Sequence, residues 1–288
     1  MATVLTLETQ LRLMQAIERM PAFPKSVQKV IELTRDIDCP PKAIVAVIEK
    51  DPVLTLKILR VINSAYYALP QKITSVAQAV IHLGINTIKN LALSFALIGM
   101  LPSANAAGFD AQRYLLHSLT TATLARTLCA RFASSEADAN ECYIAGLLHD
   151  FGKAVLAQFL AAEFCQALAR TQDEGMPLYV AEQAVIGADH AMVGALLAQK
   201  WQFPATLVEC IRDHHDAEAP PSAMLDCLRV ANQISRLHRL GDAGNPWRDD
   251  EAPAAPWRFG DDLQATVSAL GDLEKIVGDA KEFAAAGQ

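Results

Sequence analysis

Residues 147–153 read LLHDFGK, so that an imidazole and a carboxylate, His149 and Asp150, stand side by side directly after the apolar run IAGLL. Moving an ionisable group out of water without a partner costs several kcal/mol, so such a pair implies a metal, an ion partner or a hydrogen-bond network. Four further histidines fall where helices can converge: His117 in HSLTTATLA, His190 opening HAMVGALLAQK, and His214 with His215 closing CIRDHH. His117 shares a helical face with Thr121, Leu124 and Leu128, which turns it towards a core. His149 is in line with Ala145 and Gly152, small residues that permit a close approach, and Lys153 lies one turn beyond it.

Imidazole nitrogen and carboxylate oxygen suit a borderline divalent cation, and an inward histidine on each of several helices is how bundles build such centres. The set fits a mononuclear or dinuclear site, with His117, His149 and Asp150 as first ligands and His190, His214 and His215 on the same ion or a second one. Lys153 could hold a phosphate oxygen, and a metal-bound water, its pKa lowered towards neutrality, would be the nucleophile. Singly, most of these residues have an ordinary explanation as well. His117 or His190 could be a core side chain bonded to backbone, and His214 and His215 could be cations near a helix C-terminus, where the dipole contributes about 0.3–1 kcal/mol. The His149–Asp150 pair resists such an explanation, and the ordered series is more specific than any member.

The elements that must position these groups read as helices throughout. The chain is 52% hydrophobic and only 6% aromatic, and no period-2 strand pattern competes with the helical spacing, so the sequence predicts an all-α protein. Helices are expected over about 1–20 and 26–36, around Gly84, over 111–133, over 136–170 with the HDFGK motif inside it, from His190 to about Trp201 behind an Asp189 cap, and over 262–284. The small, breaker-rich stretch PSANAAGFD divides a helical subdomain, 1–105, from a second helical domain, 106–288. Residues 241–262 form a polar, Pro-rich loop with a loose repeat, PWRDD and PWRFGDD, expected at the surface and pinned by Trp247 and Trp257, with a lid or docking loop as the alternative.

A net charge of −7 argues against a sequence-independent nucleic-acid binder, which needs a surplus of Lys and Arg. Six cysteines without a C-x-x-C spacing read as small buried hydrophobes of a reducing compartment. The N-terminus lacks a basic, apolar leader pattern, and the longest apolar run, 91–101, is short of the roughly 20 residues that span a bilayer. The expectation is a cytoplasmic protein with no membrane and no nucleic-acid partner.

The ordered series resembles the HD superfamily of metal-dependent phosphohydrolases, and HDFGK is especially close to its HD-GYP branch. The first half, with MPAFPKSVQKVIEL and IEKDPVLTLKILRVINSAYYALPQKITSVAQAVIHLGINTIKNLALS, is similar to the HDOD family, the HD-related output domain; with the later motifs the resemblance covers about 15–240. It implies an N-terminal helical subdomain packed on an HD-like helical domain, used as a bacterial signalling output module beside receiver or sensory domains, often with part of the metal site lost. Active relatives place a ligand aspartate on a final helix, where this chain has LRVANQIS and thus Asn232, a neutral and weak ligand. The Gly-Tyr-Pro segment of HD-GYP enzymes is replaced by HHDAEAPPSAML, which leaves cyclic di-GMP hydrolysis without support. The resemblance thus implies a regulatory module acting through protein contacts with a separate receiver or sensory protein, its divalent metal weakly or partially bound. The alternative is an active metal-dependent phosphohydrolase on a nucleotide or other phosphoester, with Lys153 on the phosphate. A DNA-binding regulator is disfavoured by the acidic balance.

Overall fold

The structure is a computed structural model that describes residues 6–287 apart from 35, 37, 65, 66, 68, 70, 103–105, 240, 242–256 and 260–262. All regular elements among the described residues are helical, as composition and periodicity predict. In chain order they are α1 (Leu7–Arg19), α2 (Lys25–Leu33), α3 (Pro41–Glu49), α4 (Pro52–Ile62), α5 (Val76–Leu83), α6 (Ile85–Ile98), α7 (Ala111–Phe132) and α8 (Ala139–Leu148). There follow α9 (Phe151–Phe159), α10 (Ala161–Glu174), α11 (Leu178–Ile186), α12 (His190–Lys200), α13 (Ala205–Asp213), α14 (Ala223–Leu237), α15 (Leu263–Leu270) and α16 (Leu273–Gly287). No single helix among the described residues is long and apolar enough to cross a membrane.

The chain divides into two compact units, one of residues 22–101 with 274–288, the other of 1–21 with 102–273. The change of unit at 101–102 lies near the expected cut at 105, but both chain ends fall on the other side of it. Packing explains this. α1 buries Leu13, Ala16 and Ile17 and lies against α9 and α12, while the Lys200 ammonium closes its end by donating to the carbonyls of Ile17 at 2.7 Å and Glu18 at 3.0 Å. In the other unit α16 returns to α6, where the rings of Phe283 and Phe95 stack at 5.1 Å.

The unit of 22–101 with 274–288 encloses Ile44, Ile48, Ile58, Ile62 and Ile88. Its α4 starts at an Asp51 cap followed by Pro52, and the carboxylate, which accepts from Leu54 N–H, also accepts from the Ser26 hydroxyl at 2.6 Å. The second unit is built on α7, α8 and α14, with Tyr114, Leu124, Leu128, Phe151 and Phe164 fully buried. Gly146 makes the α7–α8 contact possible: a Cβ there would stand 2.5 Å from Ala122 Cα.

The single helix expected over 136–170 is instead α8, α9 and α10, and the first break falls at His149 and Asp150. There the His149 ring donates from Nδ1 to the Gly146 carbonyl at 2.8 Å, and Asp150 leaves helical geometry with φ −98° and ψ 3°. The Asp150 carboxylate, although placed to cap α9, makes no cap bond and turns to the interior. Of the loop 241–262, only Gly241 and 257–259 are described, so Trp247 lies outside the described residues. A 3-10 turn over 257–259 is anchored by Arg258, which pairs with Glu136 and Asp226, and by Phe259 edge-on to Phe132.

Candidate metal centre

Four stretches of the second unit bring the expected residues together. α7 carries His117, the α8–α9 junction carries His149 and Asp150, and the first turn of α9 carries Lys153. α12 opens with His190, which the Asp189 cap holds in place by accepting from Met192 N–H at 2.8 Å. His214 and His215 follow α13, and the Arg229 guanidinium donates to the carbonyl of Asp213, its last residue, and to that of Asp216 beyond it. His214 caps the helix and itself takes the Ile211 carbonyl in the last turn of α13 through Nδ1, so the end-of-helix role and an inward, unbonded Nε2 coexist in one ring. His117, His149, Asp150, Lys153, His190 and His214 are all buried, and His215 is half-buried.

The geometry centres on Asp150. The Nε2 atoms of His117 and His149 stand 3.5 and 3.4 Å from its Oδ2, and those of His190 and His214 stand 3.1 and 3.7 Å from its Oδ1. Each of these four rings has its Nδ1 engaged behind it: His149 donates to Gly146 O at 2.8 Å, His214 to Ile211 O at 2.6 Å and His190 to Glu182 Oε2 at 2.6 Å, while His117 bonds the Ser235 hydroxyl at 3.1 Å. Occupying Nδ1 in this way leaves Nε2 as the ligand atom, which is how outer groups orient metal-binding histidines. His215 adds its Nε2 at 3.0 Å from that of His190 and stacks on Tyr179 with centroids 4.3 Å apart. Lys153 donates to Asp150 Oδ2 at 2.6 Å.

Electrostatics divide the rings. Burial pushes His117 down to about 4, against the pull of Asp150, and pushes His149 and His215 well below the ordinary imidazole value, with neighbouring His214 adding to the shift. For His190 burial acts in the same sense but is overcome by Glu182 and Asp150, which hold it up at about 9. Burial raises Asp150, yet His149, Lys153 and His190 outweigh it and keep the carboxyl well below the usual range. Asp150 as a carboxylate facing neutral His117, His149 and His215 suits a cation, whereas His190 has to give up its proton for one to bind.

The donors also fit a cation by what they lack. Nε2 of His149 and Nε2 of His214 are buried and make no hydrogen bond, a state that is costly unless something satisfies them. Two sets of donor atoms, each within 4.8 Å of one another, share Asp150: one with His117 and His149, the other with His190, His214 and His215. A nitrogen-rich set with one carboxylate could hold a borderline divalent ion, and Asp150 stands between the two sets. Asn232, half-buried on α14, sits beside His117 and favours its charged form.

Sequence reasoning missed Glu182, Ser235 and Tyr179. The signal for Glu182 was an acid inside the apolar stretch LYVAEQAVI; its fully buried side chain backs His190. Gly152 was expected to admit something close, and what it admits is α12: a Cβ would lie 2.0 Å from the His190 carbonyl oxygen.

Fold and site together define an all-helical protein with a buried histidine–aspartate centre. The family model of the HDOD domain matches residues 20–217, and the chain belongs to the HDOD domain family. An uncharacterized protein of Treponema pallidum is 25% identical over 233 residues, 80% of this chain, and the chain spans only 45% of that relative's length. Among solved structures, one from Marinobacter aquaeolei VT8, provisionally named a signal transduction protein, matches with a TM-score of 0.79 at 22% identity, covering 99% of this chain and 67% of that one. An HDOD domain protein of unknown function from Geobacter sulfurreducens matches with a TM-score of 0.74 at 24% identity, covering 96% and 97% of the two chains. At such identities these likenesses speak for the fold.

Proposed function

We propose that the chain is a regulatory output module of bacterial signalling that acts through contacts with another protein, a receiver or sensory protein, and that its buried cluster holds a divalent cation weakly as a structural or sensory feature. One observation carries the non-catalytic part of this reading. Lys153, the group expected to meet a phosphate, is only 5% exposed and is already bonded to Asp150 at 2.6 Å. A phosphoester would have to displace that lysine and enter among side chains that are almost wholly covered. The provisional signal-transduction name of the Marinobacter protein agrees with the reading on a shared fold. His117, His149 and Asp150 would hold a first ion, and His190, His214 and His215 the same ion or a second, with Asn232 supplying no charge. When bound, such a cation would fix the α7, α8–α9, α12 and α13 contacts and could activate a water.

The second reading, a metal-dependent phosphohydrolase on a nucleotide or other phosphoester, is favoured by two donor sets that share Asp150 and between them include the six expected ligands. Assay of Mn2+-loaded protein with bis(p-nitrophenyl) phosphate and a panel of nucleotides separates the two. The regulatory reading expects no turnover above buffer. Turnover that disappears in both His149→Ala and Asp150→Ala would overturn it and establish the enzyme.

A further inference from the structure

Glu182 is the second carboxylate of the centre, and nothing in the motif series points to it. It is fully buried on α11, and one oxygen, Oε2, accepts from both the His190 ring Nδ1 at 2.6 Å and the His190 backbone N–H at 2.8 Å. Its other oxygen, Oε1, is buried without a hydrogen-bond partner. A charge taken out of water on those terms must be stabilised by the charge it faces. What lies in line with it, through one imidazole, is the donor set of Asp150, His190, His214 and His215. A divalent cation bound there by Asp150 alone would leave buried positive charge uncompensated, because Asn232 contributes none.

We propose that Glu182 is a positioning residue that fixes His190 with Nε2 towards the cation and supplies the negative charge that Asn232 does not. The inference rests on the reading that the cluster holds a divalent cation. Two effects act through the same bond. The two acceptances at Oε2 tie both ring and backbone of His190, so the ring cannot rotate its Nε2 away from Asp150 and His215. The anionic acceptor also makes the ring a stronger donor to a metal, as carboxylate–histidine pairs behind metal ions do. The chain thereby carries its second carboxylate one shell further out, behind a histidine, and the centre keeps cation affinity with a single directly facing acid.

The test uses the full chain, stripped with chelator and titrated with Mn2+ alone, with binding followed by calorimetry and by the loss of the free Mn2+ electron paramagnetic resonance signal. Glu182→Gln keeps an oxygen acceptor for His190, removes the charge and puts an amide NH2 in place of the unbonded Oε1. Its Mn2+ affinity is expected to fall about 10–100-fold. Asn232→Asp, placed in the Glu182→Gln background, returns charge from the opposite side of the cluster without touching His190, and is expected to recover most of the loss. A packing defect would not be repaired in this way, and circular dichroism establishes that each variant is folded at the titration temperature. If Glu182→Gln does not fold alone, the Glu182→Gln/Asn232→Asp double variant is read against Asn232→Asp: weaker Mn2+ binding by the double variant supports the role of Glu182, and equal binding overturns it. Wild-type protein that takes no Mn2+ overturns both the metal reading and this role. Wild type that binds, with Glu182→Gln binding equally well, overturns the role of Glu182 alone.

Discussion

Gly152→Ala tests how the site is held together. In an ordinary helix interior glycine is worse than alanine by about 0.5–1 kcal/mol, so the change should stabilise. Here the added methyl would lie 2.0 Å from the His190 carbonyl oxygen, 2.8 Å from its carbon and 2.9 Å from the Gly194 amide nitrogen. All three are backbone atoms of α12, so no side chain can rotate aside, and α9 and α12 must separate by more than about 1 Å to restore ordinary contact. Overpacking of this kind costs about 1–3 kcal/mol, and rigid backbone partners place it at the upper end. The same separation moves His190 away from Asp150, now at 3.1 Å, so Mn2+ affinity falls together with stability. The assay is urea denaturation followed by circular dichroism, with Gly194→Ala as the milder comparison, because the nearest atom to its new methyl, Ile211 Cγ2, stands at 3.3 Å, not 2.0 Å. A Gly152→Ala protein as stable as wild type, or more so, refutes the packing argument.

Other consequences can be checked separately. Arg229→Ala removes the donor to the carbonyls of Asp213, at the end of α13, and of Asp216 beyond it, and should cost about 1–3 kcal/mol of stability and weaken Mn2+ binding through His214 and His215, as read by thermal melts and calorimetry. Burial raises the Asp51 carboxyl, but the Ser26 hydroxyl and the Leu54 and Val53 amides outweigh it and hold it below its ordinary value. That depressed folded-state value contributes stability above the unfolded pKa, and the contribution is lost as pH falls through the folded value. Ser26→Ala should therefore cost about 1 kcal/mol at neutral pH and shift the acid loss upward in pH, which denaturation at stepped pH will show. In thiol labelling of native protein, exposed Cys165 should react first, whereas buried Cys129, Cys142, Cys210 and Cys227 should resist until urea unfolds the chain; early labelling of those four would contradict the packing of α7, α8, α13 and α14.

The helical class and the identity of the donors were legible in the primary structure for local reasons. Spacing near 3.6 residues marks a helix face, and the His149–Asp150 pair after an apolar run marks a polar site inside it, whatever the rest of the chain does. The interruption of the helix at that pair was not legible, because 136–170 is continuous in pattern, and the break shows only in the Asp150 backbone and in the Gly146 carbonyl accepting from the His149 ring. Nor was the placement of the chain ends, since the choice of α1 for α9 and α12 depends on Lys200, and that of α16 for α6 on Phe95 and Phe283.

By itself the sequence determined that this is an all-α chain carrying His117, His149, Asp150, Lys153, His190, His214 and His215 in an order suited to a cation. Tertiary structure decided that the imidazoles meet around a single Asp150, that Lys153 bonds that carboxylate, and that Glu182 stands behind His190. Ligand type is a property of the residue and its near neighbours. Which carboxylate backs which histidine depends on two helices approaching over a loop, and that is settled only when the core packs.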